Sequence, residues 1–175
     1  MKLGLGRNEV RIVDYNSDWK AESERVKKDL MESTGLEENR IEHIGSTAIK
    51  AMPAKPIIDL LVGVDKLESV DKPLLQSFKK AGFLRLKVER PGEIVLAKFK
   101  DNSYQVKTHF IHLVEYQTPL WKNLIFFRDY LNNNEHARHR YLNIKEEFLR
   151  SNSEGIREYT DYKKAFVNEI IDKRT

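Results

Sequence analysis

The sequence predicts an α/β (α+β) fold, a mixed sheet with flanking helices and a helical C-terminal third. Three observations carry this reading. The stretch "KPIIDLLVGV" (55–64) is a near-continuous apolar run of strand length, as expected of a strand covered on both faces. "LRLKVER", "EIVLAKFK" and "QVKTHFIHLVE" follow as three further strand candidates, separated by "PG" and "DNS" turn signals. From Thr118 onward the apolar spacing becomes helical and stays so.

Taken in order, "VRIVDY" (10–15) reads as a short strand, and residues 17–34 as a helix with Ser17 at its N-cap and acids in its first turn. "RIEHI" (40–44) is strand-like, and "GSTAIKAM" (45–52) reads as a tight turn opening a short helix. Residues 67–83 are helical, with Pro73 either breaking the helix or occupying its first turn. After the three strand candidates, "TPLWKNLIFFRDYLNN" places Thr118 at an N-cap and Pro119 at N1. Its Leu120, Leu124, Phe127 and Leu131 hold helical spacing. Two more helices are predicted over 135–150 and 154–173. No repeat or flexible linker interrupts the chain, so one domain spans 1–175, with a sheet part (1–117) and a helical layer (118–175) walling a cleft.

The 175 residues carry 40% hydrophobic and 33% charged residues, ordinary for a soluble domain. No apolar run reaches the roughly 20 residues that span a bilayer, and the N-terminus lacks a signal-peptide pattern. With no cysteine, disulfides, thiolate nucleophiles and zinc–thiolate sites are excluded, and a cytoplasmic location is expected. The net charge of +4 is mixed along the chain rather than gathered into a stripe. That balance favours a small phosphorylated ligand over nucleic acid and gives no sign of a membrane partner.

Two features ask for a functional reading. Gly45-Ser46-Thr47 follows a strand and opens a helix, a place where free backbone N–H groups and hydroxyls can take an anion, although an N-cap is the simpler role. No P-loop lysine pattern is present. Asp59, between Ile57-Ile58 and Leu60-Leu61, is costly in a dry core. It must face a polar cleft, pair with a cation such as Lys55, or bind a metal. Alternation along 107–115 puts His109 and His112 on opposite faces, so a His–Asp metal site joins Asp59 to one of them. His109 is favoured, because Lys107 lies on its face and suits a phosphate. His43 can donate to a phosphate or to Asp59, or can orient the turn. Lys163 sits on the apolar face formed by Tyr159, Tyr162, Phe166 and Ile170, and Arg128 beside Phe127; each either snorkels to the surface or reaches a cleft anion. Lys98 is a further candidate on a strand, and "HARHR" (136–140) reads as a solvated helix face.

A Gly-Ser turn followed by an aspartate on an apolar strand resembles the opening of the nucleotidyltransferase superfamily that includes polymerase β. There the turn holds the triphosphate and the strand bears metal-binding carboxylates. Leu61 stands where that motif has its second acid. Over roughly residues 10–170 the whole chain resembles the GrpB-type family, a bacterial group assigned to the nucleotidyltransferase-like fold. The resemblance rests on "EHIGSTA", "AKPIIDLLVGV", "THFIH", "FRDYL" and a C-terminal "Y...K..F". Glu42, His43, Gly45, Ser46, Thr47, Lys55, Pro56 and Asp59 match, as do Thr108, His109, His112, Arg128, Asp129, Tyr159 and Lys163. Lys50-Ala51 replaces the usual Pro-Gly, and Phe110 a histidine of the family's THHLH strand.

The resemblance implies a nucleotide-binding cleft with phosphate at Gly45, Ser46, Thr47, Lys55 and Lys163, and Mg²⁺ held by Asp59 and His109 in a catalytic role. Two readings follow from it. One is a divergent nucleotidyltransferase. The other is a non-catalytic or regulatory module that binds a nucleotide or phosphorylated metabolite, as suggested by the family's fusion to a coenzyme A biosynthetic kinase in some bacteria.

Overall fold

A computed structural model describes residues 1–151 and 156–174. Five strands form one mixed sheet in the order β1-β2-β5-β4-β3. They are β1 (Ile41–Ile44), β2 (Ile58–Val64), β3 (Phe83–Arg90), β4 (Glu93–Phe99) and β5 (Lys107–Glu115). β2 runs parallel to β5, and the other neighbours are antiparallel. β2 is therefore an interior strand, which explains why its sequence is apolar on both faces. It begins at Ile58 rather than Lys55, because Pro56 has no N–H to give a ladder.

The helices are α1 (Asp18–Thr34), α2 (Lys72–Lys80), α3 (Pro119–Asn133), α4 (Glu135–Arg150) and α5 (Ile156–Asp172). Residues 154 and 155, where the sequence places the start of the last helix, lie outside the described residues. Pro73 occupies the first turn of α2, whose N-cap Asp71 accepts a hydrogen bond from Leu74 N–H at 2.9 Å. At α1 the expected cap moves back one residue: Asn16 Oδ1 accepts from Asp18 N–H at 2.9 Å, and Ser17 already has helical dihedrals.

The sheet has two differently covered faces. Ile58, Leu60 and Val62 of β2, with Ile111 and Leu113 of β5 and Leu96 of β4, pack beneath Trp19, Val26 and Leu30 of α1 and Phe78 of α2. On the reverse face, Leu61 and Val114 pack against Ile44 and Trp121 of α3. A third cluster joins Ile49 and Met52, just past β1, to Leu131, Tyr141, Phe166 and Ile170 of the last three helices. This cluster brings the C-terminal helices against the segment between β1 and β2.

Two predicted elements are much reduced. The strand expected over 10–15 is a single bridge, Val13 to Ala54, because Pro53 and Pro56 flank Ala54 and remove the donors that would extend it. The helix expected from 45–52 is one 3₁₀ turn, Ser46–Ala48. Beyond it Ile49 is extended, Ala51 has φ +54°, and Met52 precedes a proline, which disfavours helical backbone. On α5, Tyr162 is exposed rather than part of the apolar face.

Phe78, fully buried between α2 and the sheet, tests the first cluster. Phe78→Ala is expected to cost about 3–5 kcal/mol in urea-induced unfolding, with the slope of the transition unchanged.

Candidate functional site

The positively twisted residue Gly45 (φ +71°) ends β1 and turns the chain across the start of β2. A Cβ added there would stand 2.6 Å from Asp59 Oδ2, so only glycine lets this backbone approach the carboxylate so closely. Ile44 pairs with Asp59 in the β1–β2 ladder, which fixes that approach. Asp59 thus points away from the α1 side, into a cavity of about 160 Å³. Gly45, Ser46, Thr47, Lys55, Tyr159 and Lys163 line it, along with Ile57, Phe110 and Tyr141. The sheet part supplies the turn and the acid; α4 and α5 supply the aromatic and cationic wall.

Behind Asp59 lies a line of charge. His112 Nε2 is 3.3 Å from Asp59 Oδ1, and His112 Nδ1 bonds Glu93 Oε1 of β4. Burial pulls the His112 imidazole down, but its hydrogen bonds to Asp59 and Glu93 and their two charges outweigh this and hold it at about 9. Near neutral pH an imidazolium therefore sits between two carboxylates. Asp59 is half-buried, with 29% of its side chain accessible, so its free edge meets the cavity.

The opposite wall is basic. Lys55 Nζ and Lys163 Nζ lie over the Tyr159 ring, 4.5 Å and 4.1 Å from its centroid. Burial, then the Lys163 charge, lower Lys55 to about 8, against the pull of Asp59. Lys145 of α4, with 0% exposure, stands behind Ser46: its Nζ is 2.8 Å from Ser46 Oγ and 3.0 Å from Pro53 O. Among the described residues, no carboxylate forms an ion pair with Lys55, Lys145 or Lys163.

His109 does not belong to this site. It is buried on the other face of the sheet, hydrogen-bonded to Glu22 of α1 at 3.1 Å and to Thr108 Oγ1 at 2.9 Å. The parallel register pairs His109 with Ile58 and Asp59 with Phe110, so strand alternation sends the two side chains to opposite faces. Burial lowers His109 to about 4, and near neutral pH the ring is uncharged. Lys98 faces α1 as well, over Phe83. His43 also lies across the sheet, at 2.9 Å from Thr47 Oγ1, and braces the turn; burial lowers it to about 4. Arg128 holds α3 to β1 through Glu42 Oε2 at 2.6 Å and the carbonyl of His43 at 2.9 Å, with Asp129 as a further partner. It does not line the cavity.

These donors do not fit a magnesium centre. Among the described residues Asp59 is the one acid lining the cavity, its neighbour His112 is held protonated, and Leu61 is buried in the apolar face. Among the described residues, no three His, Asp or Glu side chains converge as a metal site.

Two residues of the site, Glu93 and Lys145, escape the sequence reading. Glu93 reaches His112 only through the β4–β5 register, which pairs Val95 with His112. Lys145 carried a signal: it falls on the stripe Ala137, Tyr141, Lys145, Phe148, the buried face of α4.

The sequence profile of the GrpB protein family matches residues 9–173. The chain belongs to the GrpB family. It is 40% identical over 172 residues to the glutamate-rich protein GrpB of Alkalihalophilus pseudofirmus, covering 98% of this chain and 99% of that one. The crystal structure of GrpB from Enterococcus faecalis superposes with a TM-score of 0.77 at 28% identity, over 93% of this chain and 96% of that one. The Cid1 poly(U) polymerase bound to magnesium and 3′-dATP superposes with a TM-score of 0.56 at 16% identity, over 79% of this chain and 44% of the polymerase. The chain thus shares its fold with that polymerase, and at that identity the fold carries no activity with it.

Two measurements check the geometry. His112 has a folded value of about 9 against 6.5 unperturbed, so its contribution to stability is fully present below about pH 6.5 and is lost as pH rises through 9. The urea midpoint is expected to fall between those values in the wild type, and His112→Asn to flatten that fall. Gly45→Ala is expected to cost about 2 kcal/mol or more, from positive φ and the clash with Asp59 together.

Proposed function

We propose that this GrpB-family protein binds the phosphate of a nucleotide or other small phosphorylated ligand in the cavity between the Gly45–Thr47 turn and α5, without a metal ion. The observation that carries this reading is the convergence of Lys55 and Lys163 on one small cavity that Ser46 and Thr47 also line, with Asp59 its sole acid among the described residues. A phosphate supplies the negative charge these ammonium groups lack. The arrangement replaces the usual division of labour, in which carboxylates hold Mg²⁺ and Mg²⁺ holds the phosphates, with direct contact between lysine and phosphate. In this reading Asp59, tied to His112, faces the far side of the ligand, where it can accept from a sugar or hydroxyl group.

The fold shared with the Cid1 polymerase supports a second reading, nucleotidyl transfer with Mg²⁺. Titration calorimetry with inorganic phosphate and with ATP, in EDTA and in Mg²⁺, separates the two. Binding in EDTA, weakened about tenfold or more in Lys55→Ala and Lys163→Ala, is the expected result. It should also weaken as pH rises through about 8, where Lys55 loses its proton. Binding that requires Mg²⁺, with pyrophosphate release abolished in Asp59→Asn, would replace this reading with the second.

A further inference from the structure

Lys145 is used neither by the fold's apolar packing nor by direct contact with the cavity. Ser46 and Tyr141 line the cavity, whereas Lys145 lies behind them, fully buried. Its reach is spent on two oxygens, Ser46 Oγ at 2.8 Å and the carbonyl of Pro53 at 3.0 Å. An ammonium group has three hydrogens and no acceptor; a neutral amine has two hydrogens and one lone pair. Pro53 O takes one hydrogen from either form. Only the amine can in addition accept the hydrogen of Ser46, leaving the serine oxygen's lone pairs free toward the cavity.

The surroundings favour the amine. The charges facing Lys145 are Lys55 from the segment before β2 and Lys163 from α5, both positive, while Tyr141 presents its ring face to Lys145 and burial keeps the Tyr159 phenol protonated. Asp59 lies against the Gly45 turn and is bound to His112. Burial, then the Lys163 and Lys55 charges, hold Lys145 well below the ordinary lysine range.

We propose that Ser46 is a nucleophile toward phosphorus, with Lys145 as its general base, so that the site carries a phosphoryl group on serine. The proposal rests on the phosphate-binding reading for the lysines that hold the phosphate in front of Ser46, and it adds a reaction to that binding. Ser–Lys pairs activate serine elsewhere in protein chemistry by this proton transfer. The substrate class is a phosphate monoester or anhydride. Ser46 Oγ attacks phosphorus as its proton passes to Lys145 Nζ; the Oγ–P bond forms and the bond from phosphorus to the leaving oxygen breaks. That oxygen departs on the far side and takes a proton from water. Water then attacks the phosphoserine, the Oγ–P bond breaks, and Lys145 returns its proton to Ser46 Oγ. Lys55 and Lys163 stabilise the charge on the transferred oxygens, so no metal enters the balance.

A fluorophosphonate tests this without a known substrate, since it forms the same Oγ–P bond while expelling fluoride. The intact protein in EDTA is expected to take up one adduct, which peptide mass spectrometry places on Ser46. The rate should rise with pH, with a midpoint well below the roughly 10.4 of a free lysine. Lys145→Arg, which keeps a donor toward Ser46 Oγ but cannot take a proton, is expected to slow labelling at least about 100-fold. Absence of a Ser46 adduct between about pH 6 and 9 overturns the proposal, as does equal labelling of a folded Lys145→Arg. Should that variant fail to fold by circular dichroism, the wild-type profile decides: a rate with no midpoint below the ordinary lysine range overturns it. Calorimetry with inorganic phosphate keeps the two readings apart. Phosphate binding without labelling refutes the nucleophile alone, and labelling without phosphate binding supports the nucleophile while refuting the anion site.

Discussion

A carboxylate in an interior strand of a sheet must be compensated, and the compensation of Asp59 organises this molecule. Its neighbours in β2 are buried on both faces, so the charge can be tolerated only where the sheet opens and only beside a cation. His112 supplies that cation, and Glu93 keeps His112 charged by bonding its second nitrogen. Three strands are thereby tied by side chains as well as by their ladders. Gly45 then brings the turn within touching distance of the acid, because any larger residue collides with it.

The basic groups of the site come in part from far along the chain. Lys145 and Lys163 lie on α4 and α5, and the cluster of Ile49 and Met52 with Leu131, Tyr141, Phe166 and Ile170 is what carries those helices to the turn. The same aromatic residues do two jobs. Tyr141 and Tyr159 bury apolar surface and at the same time present ring faces to lysines that have no carboxylate partner among the described residues. Apolar packing thus holds two like charges, Lys55 and Lys163, near one cavity, with the Lys145 amine behind it, an arrangement that is unfavourable until an anion enters. An acid site built for metal would spend its carboxylates here, and Leu61, packed against Val114 and Trp121, shows that this strand spends that position on the core instead.

Much of this was legible in the residues. The apolar run of β2, the three strands after α2 and the helical spacing beyond Thr118 reproduce the observed order, since period and burial are local properties. The Gly-Ser-Thr turn and Asp59 stood out for the same reason, and Lys55 and Lys163 reach the cavity with them. The histidine was misassigned. Alternation correctly separated His109 from His112, but which of them shares a face with Asp59 depends on the β2–β5 register, and no local pattern encodes that. Arg128 likewise looked like a cleft cation and instead clamps Glu42, a partner 86 residues away.

By itself, then, the sequence determined the kinds and order of elements, the family, and the two anchors of the site, Asp59 and the Gly45–Thr47 turn. The elements and the anchors follow from short-range periodicity, turn chemistry and the cost of a lone charge in an apolar run, and the family from the resemblance of its motifs. Only the tertiary structure decided that His112 and Glu93, rather than His109, stand behind Asp59, and that Lys145 stands behind Ser46. The reason is physical: strand register and helix packing are set by burial summed over distant surfaces, and a charge finds its partner only after those surfaces have met.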